Sequence, residues 1–242
     1  MDRAVYDRMK EIDDIHWWFV ARRKIVRALL SRDATPDRKM RILEVGCGTG
    51  SNLAMLKSYG VVDAIEPDDD ARNVAIERSQ IAVRGGFLPD GVKLEDGVYD
   101  IVVLLDVLEH IGDDLGTLQA LKAKLTPTGK LLITVPANPW LWSEHDVAHH
   151  HQRRYTQASL SKVLTAAGYR IDHQSHFNTL LFPLIVLMRA IGRVTGRGGG
   201  DDAVPHRAVN WILQKTFGAE SLWVPRIRMP WGVSIAAVAR SC

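Results

Sequence analysis

Residues Glu44 to Gly50 read EVGCGTG, and this short stretch decides the fold of the chain. It follows an apolar run at 41–45 that predicts a buried strand, and it precedes a helical pattern at 52–59. A glycine-rich turn between a strand and a helix is typical of α/β domains that bind nucleotides. In the dinucleotide fingerprint the third glycine follows the first by five residues, and this chain has Ser51 there. The spacing therefore disfavours a nicotinamide oxidoreductase and favours another cofactor.

Strand and helix patterns alternate through the rest of the sequence. Short apolar runs predict strands at 41–45, 61–65, 81–84, 100–105, 130–135, 169–174 and 233–240. Helical periodicity predicts helices at 6–30, 52–59, 69–80, 114–125 and 157–167. This alternation predicts right-handed βαβ units in a mostly parallel, doubly wound α/β sheet. Ligands of such sheets bind beyond the carboxyl ends of the strands, so we expect the functional site there.

The composition of the chain narrows its function further. With 242 residues, of which 46% are hydrophobic, the chain is long enough for one α/β domain with an insertion. Its net charge of +3 comes from scattered basic clusters separated by acidic runs, which disfavours a nucleic-acid partner. The charged first ten residues do not resemble a secretory signal, and the two cysteines, Cys47 and Cys242, lie far apart. We therefore expect a cytoplasmic protein without a disulfide.

Two carboxylates flank the glycine-rich turn. Glu66 ends the second predicted strand, where it can accept hydrogen bonds from two ribose hydroxyls. Glu44 lies two positions before the first glycine. A loop of small residues with a carboxylate close by suits a cationic nucleoside that bears an amino acid better than it suits a diphosphate.

Four stretches then resemble the successive motifs of class I S-adenosylmethionine-dependent methyltransferases. They read ILEVGCGTG at 42–50, AIEPDDD at 64–70, YDIVVLLDVLEHI at 99–111 and LTPTGKLLITVP at 125–136. The resemblance is to small-molecule methyltransferases of the ubiquinone-pathway type. It implies a Rossmann-like sheet of seven strands with the last strand antiparallel, and it implies S-adenosyl-L-methionine as the cofactor.

The resemblance also assigns cofactor contacts, which fall on Glu44, Gly46, Cys47, Gly48, Gly50, Glu66, Pro67, Asp68, Phe87, Leu88, Leu105 and Asp106. Glu44 would orient the methionine ammonium group, Glu66 would bind the ribose, and Asp106 would close the site near the sulfonium. Many relatives carry an acidic residue that meets the adenine amino group in the loop after the third strand. Here that loop reads RGGFLPD at 84–90, so Asp90 or the backbone would take over the contact.

The acceptor side is predicted to lie at 143–155, SEHDVAHHHQRRY, which follows the fifth strand. Transfer from a sulfonium needs a base only if the acceptor atom must lose a proton. His145 beside Asp146 resembles an oriented general base, and His110 is its alternate. The predicted acceptor contacts are Trp18, Trp142, Arg153, Arg154 and Tyr155. The run of three histidines has an alternative interpretation as a solvated loop or helix face.

We assign no metal from the sequence, although one alternative stays open. Residues 106–110 resemble an acid-x-x-Glu-His pattern that some relatives use to hold magnesium, and His145 with His149 or His150 could add ligands. Glu109 and His110 are, however, common in this family without a metal, and no cysteine supports a zinc site. The thiol of Cys47 is interpreted as a packing group rather than a nucleophile.

The chain is predicted to have an N-terminal helical cap at 1–40, a cofactor-binding core at 41–176 and 232–242, and an insertion at 177–231. The insertion combines apolar anchors with arginines, which suits a lid, a homodimer contact or a peripheral membrane surface. The predicted function is methyl transfer to an oxygen or nitrogen of a small molecule, with a lipid-linked acceptor as one option. The alternative is a non-catalytic S-adenosylmethionine-binding protein that serves as a sensor or assembly factor.

Overall fold

A computed structural model describes residues 3–32, 39–195 and 203–241 of the chain. One sheet contains seven strands in the order β3-β2-β1-β4-β5-β7-β6. Their bounds are β1 Met40–Val45, β2 Gly60–Ile65, β3 Val83–Arg84, β4 Tyr99–Leu105, β5 Leu125–Pro136, β6 Tyr169–Phe177 and β7 Ser234–Ser241. Neighbouring strands are parallel except that β7 runs antiparallel to both β5 and β6. The doubly wound sheet with an antiparallel last strand is thus confirmed.

Helices cover both faces of this sheet. They are α1 Arg3–Ile12, α2 Trp17–Leu30, α3 Leu53–Lys57, α4 Asp69–Ser79, α5 Asp114–Lys124, α6 Glu144–Ala148, α7 Gln157–Ala166, α8 Phe182–Thr195 and α9 Arg207–Ala219. None of the helices in the described ranges is long and apolar enough to cross a bilayer.

The apolar pattern of β1 explains why both faces are covered. Successive strand residues point to opposite faces, so Ile42 and Leu43 enter two separate hydrophobic clusters, and both are fully buried. The first cluster includes Ile25 and Leu29 of α2, and the second includes Leu160 of α7. Each such side chain contributes roughly 1.5–3 kcal/mol by leaving water. Buried apolar side chains on both faces of one strand therefore specify a central position in the sheet.

The sheet order also places the site. The chain proceeds outward from β1 to β2 and β3, and then returns to the other side of β1 with β4. The order therefore reverses between β1 and β4, and a crevice opens beyond their carboxyl ends. The glycine turn follows β1 directly, and Asp106 follows β4.

The N-terminal helices and the insertion pack against each other. Helix α2 lies against α9, and the Asn210 side chain of α9 accepts a hydrogen bond of 2.9 Å from the Trp17 amide and donates one of 2.8 Å to the Ile15 carbonyl. The ring of Phe217 stacks on Phe177 at 6.1 Å and meets Trp17 edge-on at 5.9 Å. The division into cap, core and insertion remains a prediction, since these segments share one hydrophobic cluster.

Several element ends differ from the sequence prediction. The third strand is only Val83–Arg84, the helix after the glycine turn is only Leu53–Lys57, and the last strand runs one residue further than predicted. The sequence also predicts a polar linker at 31–39 and a glycine-rich linker at 192–200, and both lie in large part outside the described residues, as does Cys242. Helix α8 extends to Thr195 and so includes the first residues of the second linker.

Candidate active site

A cavity of about 860 Å³ opens beyond the carboxyl ends of β1 and β4, under the N-terminal helices. This volume is in the range of small-molecule sites. Most of the residues predicted from the sequence line it, namely Trp18, Gly46, Cys47, Gly48, Glu66, Pro67, Asp68, Phe87, Leu88, Leu105, Asp106, His110, His145 and Arg154. Those that lie outside the lining are Glu44, Gly50, Trp142, Asp146, Arg153 and Tyr155. The structure therefore brings most of the predicted cofactor residues to one cavity, together with Trp18 and Arg154 of the predicted acceptor contacts.

The backbone of the glycine turn needs its glycines for two different reasons. Gly46 has φ +68°, and a Cβ there would meet the Val107 methyl groups at 2.8 Å. Gly48 has φ +55°, and a Cβ there would meet nothing within 4 Å. Gly46 thus allows close packing, whereas Gly48 leaves open space at the cavity wall. Both have positive φ, which residues with a side chain rarely adopt.

Glu66 organises the cofactor end of the cavity. Its Oε2 accepts a hydrogen bond of 2.7 Å from the Gly48 amide, and its Oε1 accepts one of 3.0 Å from the Asp68 amide. The Tyr6 hydroxyl donates to the same Oε1 at 3.4 Å. Burial raises the pKa of Glu66, and the two backbone donors oppose this shift. The carboxylate is fixed in position at the cavity wall, as the predicted ribose contact requires.

Glu44 acts from behind the turn. Its side chain is buried, and Oε1 accepts a hydrogen bond of 2.9 Å from the Asn52 amide group, just before α3. Burial raises the pKa of Glu44 from 4.5 to about 7, against the hydrogen bond from Asn52. The pair joins the two ends of the glycine turn. The action of Glu44 on the methionine ammonium group, through the turn or through a water molecule, stays a prediction.

Burial likewise raises the pKa of the Cys47 thiol, and the charges of Glu44 and Glu66 add to this shift. A neutral thiol is a poor nucleophile. This environment supports the interpretation of Cys47 as a packing residue.

Asp106 and Arg22 meet at the end of β4. Asp106 has φ +57°, and its Oδ2 forms an ion pair with Nη1 of Arg22 and accepts a hydrogen bond of 3.2 Å from Thr134. Arg22 also donates to the Leu105 carbonyl at 3.3 Å, and its guanidinium lies 4.8 Å from the Trp18 ring. Its Nε has no hydrogen-bond partner in the described part of the chain. Sequence reasoning missed this residue, although Arg22 is the only charged side chain on the apolar face of the predicted helix.

Asp146 organises the acceptor end. It lies in the first turn of α6, where Oδ2 accepts a hydrogen bond of 2.8 Å from the Ser143 amide. Its Oδ1 lies 2.8 Å from Nδ1 of His151 and 2.7 Å from Nε of Arg154. Burial alone would raise the pKa of Asp146, but the hydrogen bonds from His151 and Arg154 outweigh it and hold the pKa below its usual range. The aspartate therefore stays ionised and orients the imidazole of His151.

His151 was missed as an individual residue, because sequence reasoning paired Asp146 with its neighbour His145. The structure places His145 at the cavity wall, with its ring centroid 4.0 Å from His149 and 6.0 Å from His151. The sequence separation of Asp146 and His151 contained a signal for this pair. Helix α6 ends at Ala148, so the chain turns back and brings a residue five positions after Asp146 to its carboxylate.

The predicted acceptor contacts beyond His145 are mostly engaged elsewhere. Arg154 is 7% exposed and also donates to the Ala137 carbonyl at 3.0 Å, so its charge is already matched by Asp146. Arg153 forms an ion pair with Asp114 at 2.7 Å, and the Tyr155 hydroxyl donates to Asp114 at 2.8 Å. These contacts support the loop that carries His151. Their role in acceptor binding remains a prediction.

Glu109, His110 and His151 form a third group at the cavity wall. Glu109 is fully buried, and neither of its carboxylate oxygens accepts a hydrogen bond within the described residues. Burial raises the pKa of Glu109 well above its usual range, and burial beside His151 lowers the pKa of His110 to about 3. One ligand atom from each of the three lies within 4.8 Å of the others. The donor set would suit a divalent cation, with His151 in place of the Asp106 considered from the sequence.

A family model for a methyltransferase domain matches residues 17–174, from α2 into β6. A probable S-adenosylmethionine-dependent methyltransferase of Mycolicibacterium smegmatis is 26% identical over 162 residues, which are 65% of this chain and 61% of that protein. A ubiquinone biosynthesis O-methyltransferase of Histophilus somni is 31% identical over 116 residues, which are 43% of this chain and 48% of that protein. The chain thus spans between about half and three fifths of the length of these relatives.

Solved structures agree on the fold. A chain in the complex between the Haloferax volcanii Trm112 methyltransferase activator and a methyltransferase has a TM-score of 0.63 at 17% identity, covering 98% of this chain and 94% of that one. Phosphoethanolamine N-methyltransferase 2 of Haemonchus contortus, in complex with S-adenosyl-L-methionine, has a TM-score of 0.57 at 17% identity, covering 88% and 51%. The family model covers more than half of the sequence, and the resemblance of the four motifs is confirmed. The chain therefore belongs to the methyltransferase domain family, in its class I S-adenosylmethionine-dependent branch.

Proposed function

We propose that the protein transfers the methyl group of S-adenosylmethionine to an oxygen or nitrogen atom of a small, apolar molecule. The observation that carries this proposal is the joint lining of one cavity by the glycine turn, by Glu66 and by a histidine held by a buried aspartate. A pure cofactor sensor would need the first two features only. The oriented histidine favours an enzyme over the non-catalytic alternative.

The cofactor half of the cavity offers a partner for each end of the donor molecule. Glu66 would accept hydrogen bonds from the ribose hydroxyls, and Phe87 and Leu88 would flank the adenine. At the methionine end, the backbone of the glycine turn would approach the methionine part of the donor molecule. Arg22 supplies a cation there, beside Leu105 and Asp106. The methionine carboxylate is the only anionic group of S-adenosylmethionine, so we expect it to bind the guanidinium of Arg22.

For the acceptor half we propose His151 as the general base in place of His145. As the acceptor oxygen or nitrogen attacks the methyl carbon, the carbon–sulfur bond breaks and leaves neutral S-adenosylhomocysteine, and the acceptor proton passes to Nε2 of His151. Asp146 already holds Nδ1 and would stabilise the imidazolium that forms. With its pKa lowered to about 3, His110 is a weak base. His145 stays the sequence-based alternative because it also lines the cavity.

The insertion supports an apolar and lipid-linked acceptor. Helix α8 presents Ile185 and Arg189 to the cavity, while Leu184, Leu187, Met188 and Ile191 of the same helix are exposed. These four residues follow a helical spacing and form one apolar stripe, the α8 stripe. Residues 178–233 contain three carboxylates, of which Glu220 is buried and Asp201 and Asp202 lie outside the described residues. Exposed cations in the same segment are Arg207, Lys215, Arg226 and Arg228. An apolar stripe with this charge suits contact with anionic lipid.

The experiment that tests the proposed function is a transfer assay with methyl-labelled S-adenosylmethionine and an extract of the source cells, followed by separation into lipid, aqueous, protein and nucleic-acid fractions. We expect label in the lipid fraction with the unaltered protein. We expect His151→Asn to lower turnover by about 10²-fold or more while its affinity for S-adenosylhomocysteine, measured by calorimetry, is unchanged.

Three outcomes would change the proposal. If His151→Asn is fully active and His145→Asn is not, the base is His145. If a chelator abolishes transfer and a divalent cation restores it, then Glu109, His110 and His151 hold a metal. If cofactor binds but no fraction is labelled by any extract, the binding-protein alternative is correct.

A further inference from the structure

A buried aspartate in the turn between α1 and α2 is bonded to two other parts of the molecule. Asp13 is 1% exposed, and its carboxylate accepts two hydrogen bonds from Arg78 near the end of α4, at 2.8 and 3.0 Å. It also accepts a hydrogen bond of 3.0 Å from the Thr49 hydroxyl. Because Thr49 belongs to the glycine turn, one carboxylate joins the N-terminal helices to the cofactor loop. We call Asp13, Thr49 and Arg78 the Asp13 latch.

Helix α1 lies over the cofactor end of the cavity. Tyr6 and Met9 line the cavity, and the next residue at the same spacing, Ile12, is 2% exposed. The opposite face of the helix is charged and exposed, with Asp7, Arg8, Lys10 and Glu11. This pattern is that of a surface helix held by a narrow apolar stripe. Helix α1 therefore has few buried contacts of its own, and the Asp13 latch fixes the end where it joins α2.

The position of Tyr6 makes α1 relevant to exchange of the cofactor. Its hydroxyl donates to Oε1 of Glu66, the carboxylate that we assign to the ribose. A nucleoside bound to Glu66 would therefore meet α1 directly. For the nucleoside to leave on that side, Tyr6 and the helix that carries it must move away.

We propose that α1 is a lid on the cofactor and that the Asp13 latch couples its closure to the conformation of the glycine turn. The inference rests on the proposed cofactor site. When the glycine turn adopts its bound conformation, the Thr49 hydroxyl is presented to Asp13 and the lid is held closed. When the turn relaxes after methyl transfer, the carboxylate loses that donor, the lid opens and the product can leave.

The geometry of the latch supports such a role over that of an ordinary surface ion pair. The pairing of Asp13 with Arg78 is bidentate, and the carboxylate is removed from solvent, so breaking it leaves a buried charge without its partner. Arg78 also forms an ion pair with the exposed Asp14 at 2.6 Å. Besides the contact of Tyr6 with Glu66, the closed lid is thus held by two neighbouring carboxylates in the turn between α1 and α2.

The test is the dissociation rate of S-adenosylhomocysteine, followed by stopped-flow fluorescence of Trp17 and Trp18, which line the cavity. We expect Thr49→Val, which removes one hydrogen bond from Asp13, to raise this rate about threefold. Arg78→Gln removes two and should raise it at least about tenfold. The matched control is Arg8→Ala, which removes an exposed ion pair of α1 with Glu11 at 3.1 Å and should leave the rate unchanged. Thermal unfolding of each variant shows whether the fold is intact.

A second readout keeps the test independent of overall stability. S-Adenosylhomocysteine should slow hydrogen exchange of the α1 amides in the unaltered protein, and this protection should be lost in Thr49→Val while β1 and β4 remain protected. If both latch variants dissociate at the unaltered rate, or if α1 exchanges equally with and without ligand, the lid proposal is wrong. If the unaltered protein does not bind S-adenosylhomocysteine in calorimetry, the cofactor site itself is wrong, and the latch proposal is overturned with it.

Discussion

At the scale of single residues, the site shows how burial sets the chemistry of carboxylates that look alike in sequence. Glu44 lies in β1, Glu66 follows β2 and Glu109 lies shortly after β4, and burial raises the pKa of each. Asp146 is also enclosed, but two cationic or donor side chains hold its pKa low. The ionised aspartate can orient a base. The carboxylate of Glu109, which accepts no hydrogen bond from any described residue, favours the neutral form. Partners, rather than residue type, therefore separate these roles.

The raised pKa of Glu44 predicts a pH dependence of stability. In the folded protein Glu44 holds its proton up to about pH 7, whereas the unfolded chain releases it near 4.5. The folded state thus binds more protons between these values, so this group's contribution is fully present below about pH 4.5 and is lost as the pH rises through about 7. The loss is at most about 3 kcal/mol for one buried group.

Glu44→Gln should remove that slope, because the amide cannot ionise and its oxygen can still accept the hydrogen bond from Asn52. The measurement is the free energy of unfolding in urea, without cofactor, at pH 5 and at pH 8. We expect the difference between the variant and the unaltered protein to favour the variant more at pH 8 than at pH 5. Glu95→Gln is the matched control, since it makes the same chemical change on a side chain that is largely exposed. Parallel profiles for the unaltered protein and Glu44→Gln would contradict the shift.

At the scale of elements, the sequence predicts the cofactor half of the site better than the acceptor half. Strands β1, β2 and β4 are largely apolar, and the sheet itself places the residues that directly follow them, so Gly46, Glu66 and Asp106 were located from the sequence. His151 and Arg22 were not, because their positions depend on where α6 ends and on how α2 crosses the sheet. Those are tertiary packing facts that local periodicity does not contain.

The two glycines of the turn allow packing and cofactor access to be tested separately. Gly46→Ala should lower the free energy of unfolding by about 2–4 kcal/mol, because a positive φ is combined with a methyl group against Val107. Gly48→Ala should cost only about 1–2 kcal/mol, since its Cβ meets nothing. The added methyl group would, however, reduce the space for the cofactor at the cavity wall.

We therefore expect Gly48→Ala to lose affinity for S-adenosylhomocysteine with little loss of stability, and Gly46→Ala to show the larger loss of stability. Chemical unfolding and calorimetry on the same preparations separate the two effects. Equal stability losses in the two variants would show that the contact with Val107 is unimportant. Unchanged affinity in Gly48→Ala would place the cofactor elsewhere in the cavity.

At the scale of the whole molecule, the N-terminal helices and the insertion together enclose the cavity that the sheet opens. Helix α2 contributes Trp18 and Arg22, and α8 contributes Ile185 and Arg189. Since α9 packs on α2, a change at the outer surface of the insertion can be transmitted to the cap. Helix α8 therefore carries both cavity-lining residues and the α8 stripe, and a surface that binds the exposed side of α8 would lie next to the cavity.

This arrangement predicts binding to anionic membranes. We expect the protein to co-sediment with vesicles of phosphatidylglycerol and phosphatidylcholine, and to bind pure phosphatidylcholine vesicles much more weakly, because each cation near an anionic surface contributes about 1 kcal/mol. Leu187→Ser and Met188→Ser together should reduce binding about tenfold by removing the two most exposed residues of the α8 stripe, at 56% and 61%. Val61→Ser is the matched control, since Val61 is equally exposed but lies on β2.

Sedimentation of the protein without vesicles tests the other two roles of the α8 stripe, which are contact with a second copy of the chain and covering of the cavity. If the unaltered protein is a dimer and the double serine variant a monomer, the stripe is a contact between two copies. If the protein is monomeric and the variants bind vesicles like the unaltered protein, α8 serves only to cover the cavity. Loss of vesicle binding with intact turnover on a dispersed acceptor would assign the stripe to membrane delivery of the substrate, because chemistry at His151 would then be independent of the surface that brings the acceptor to it.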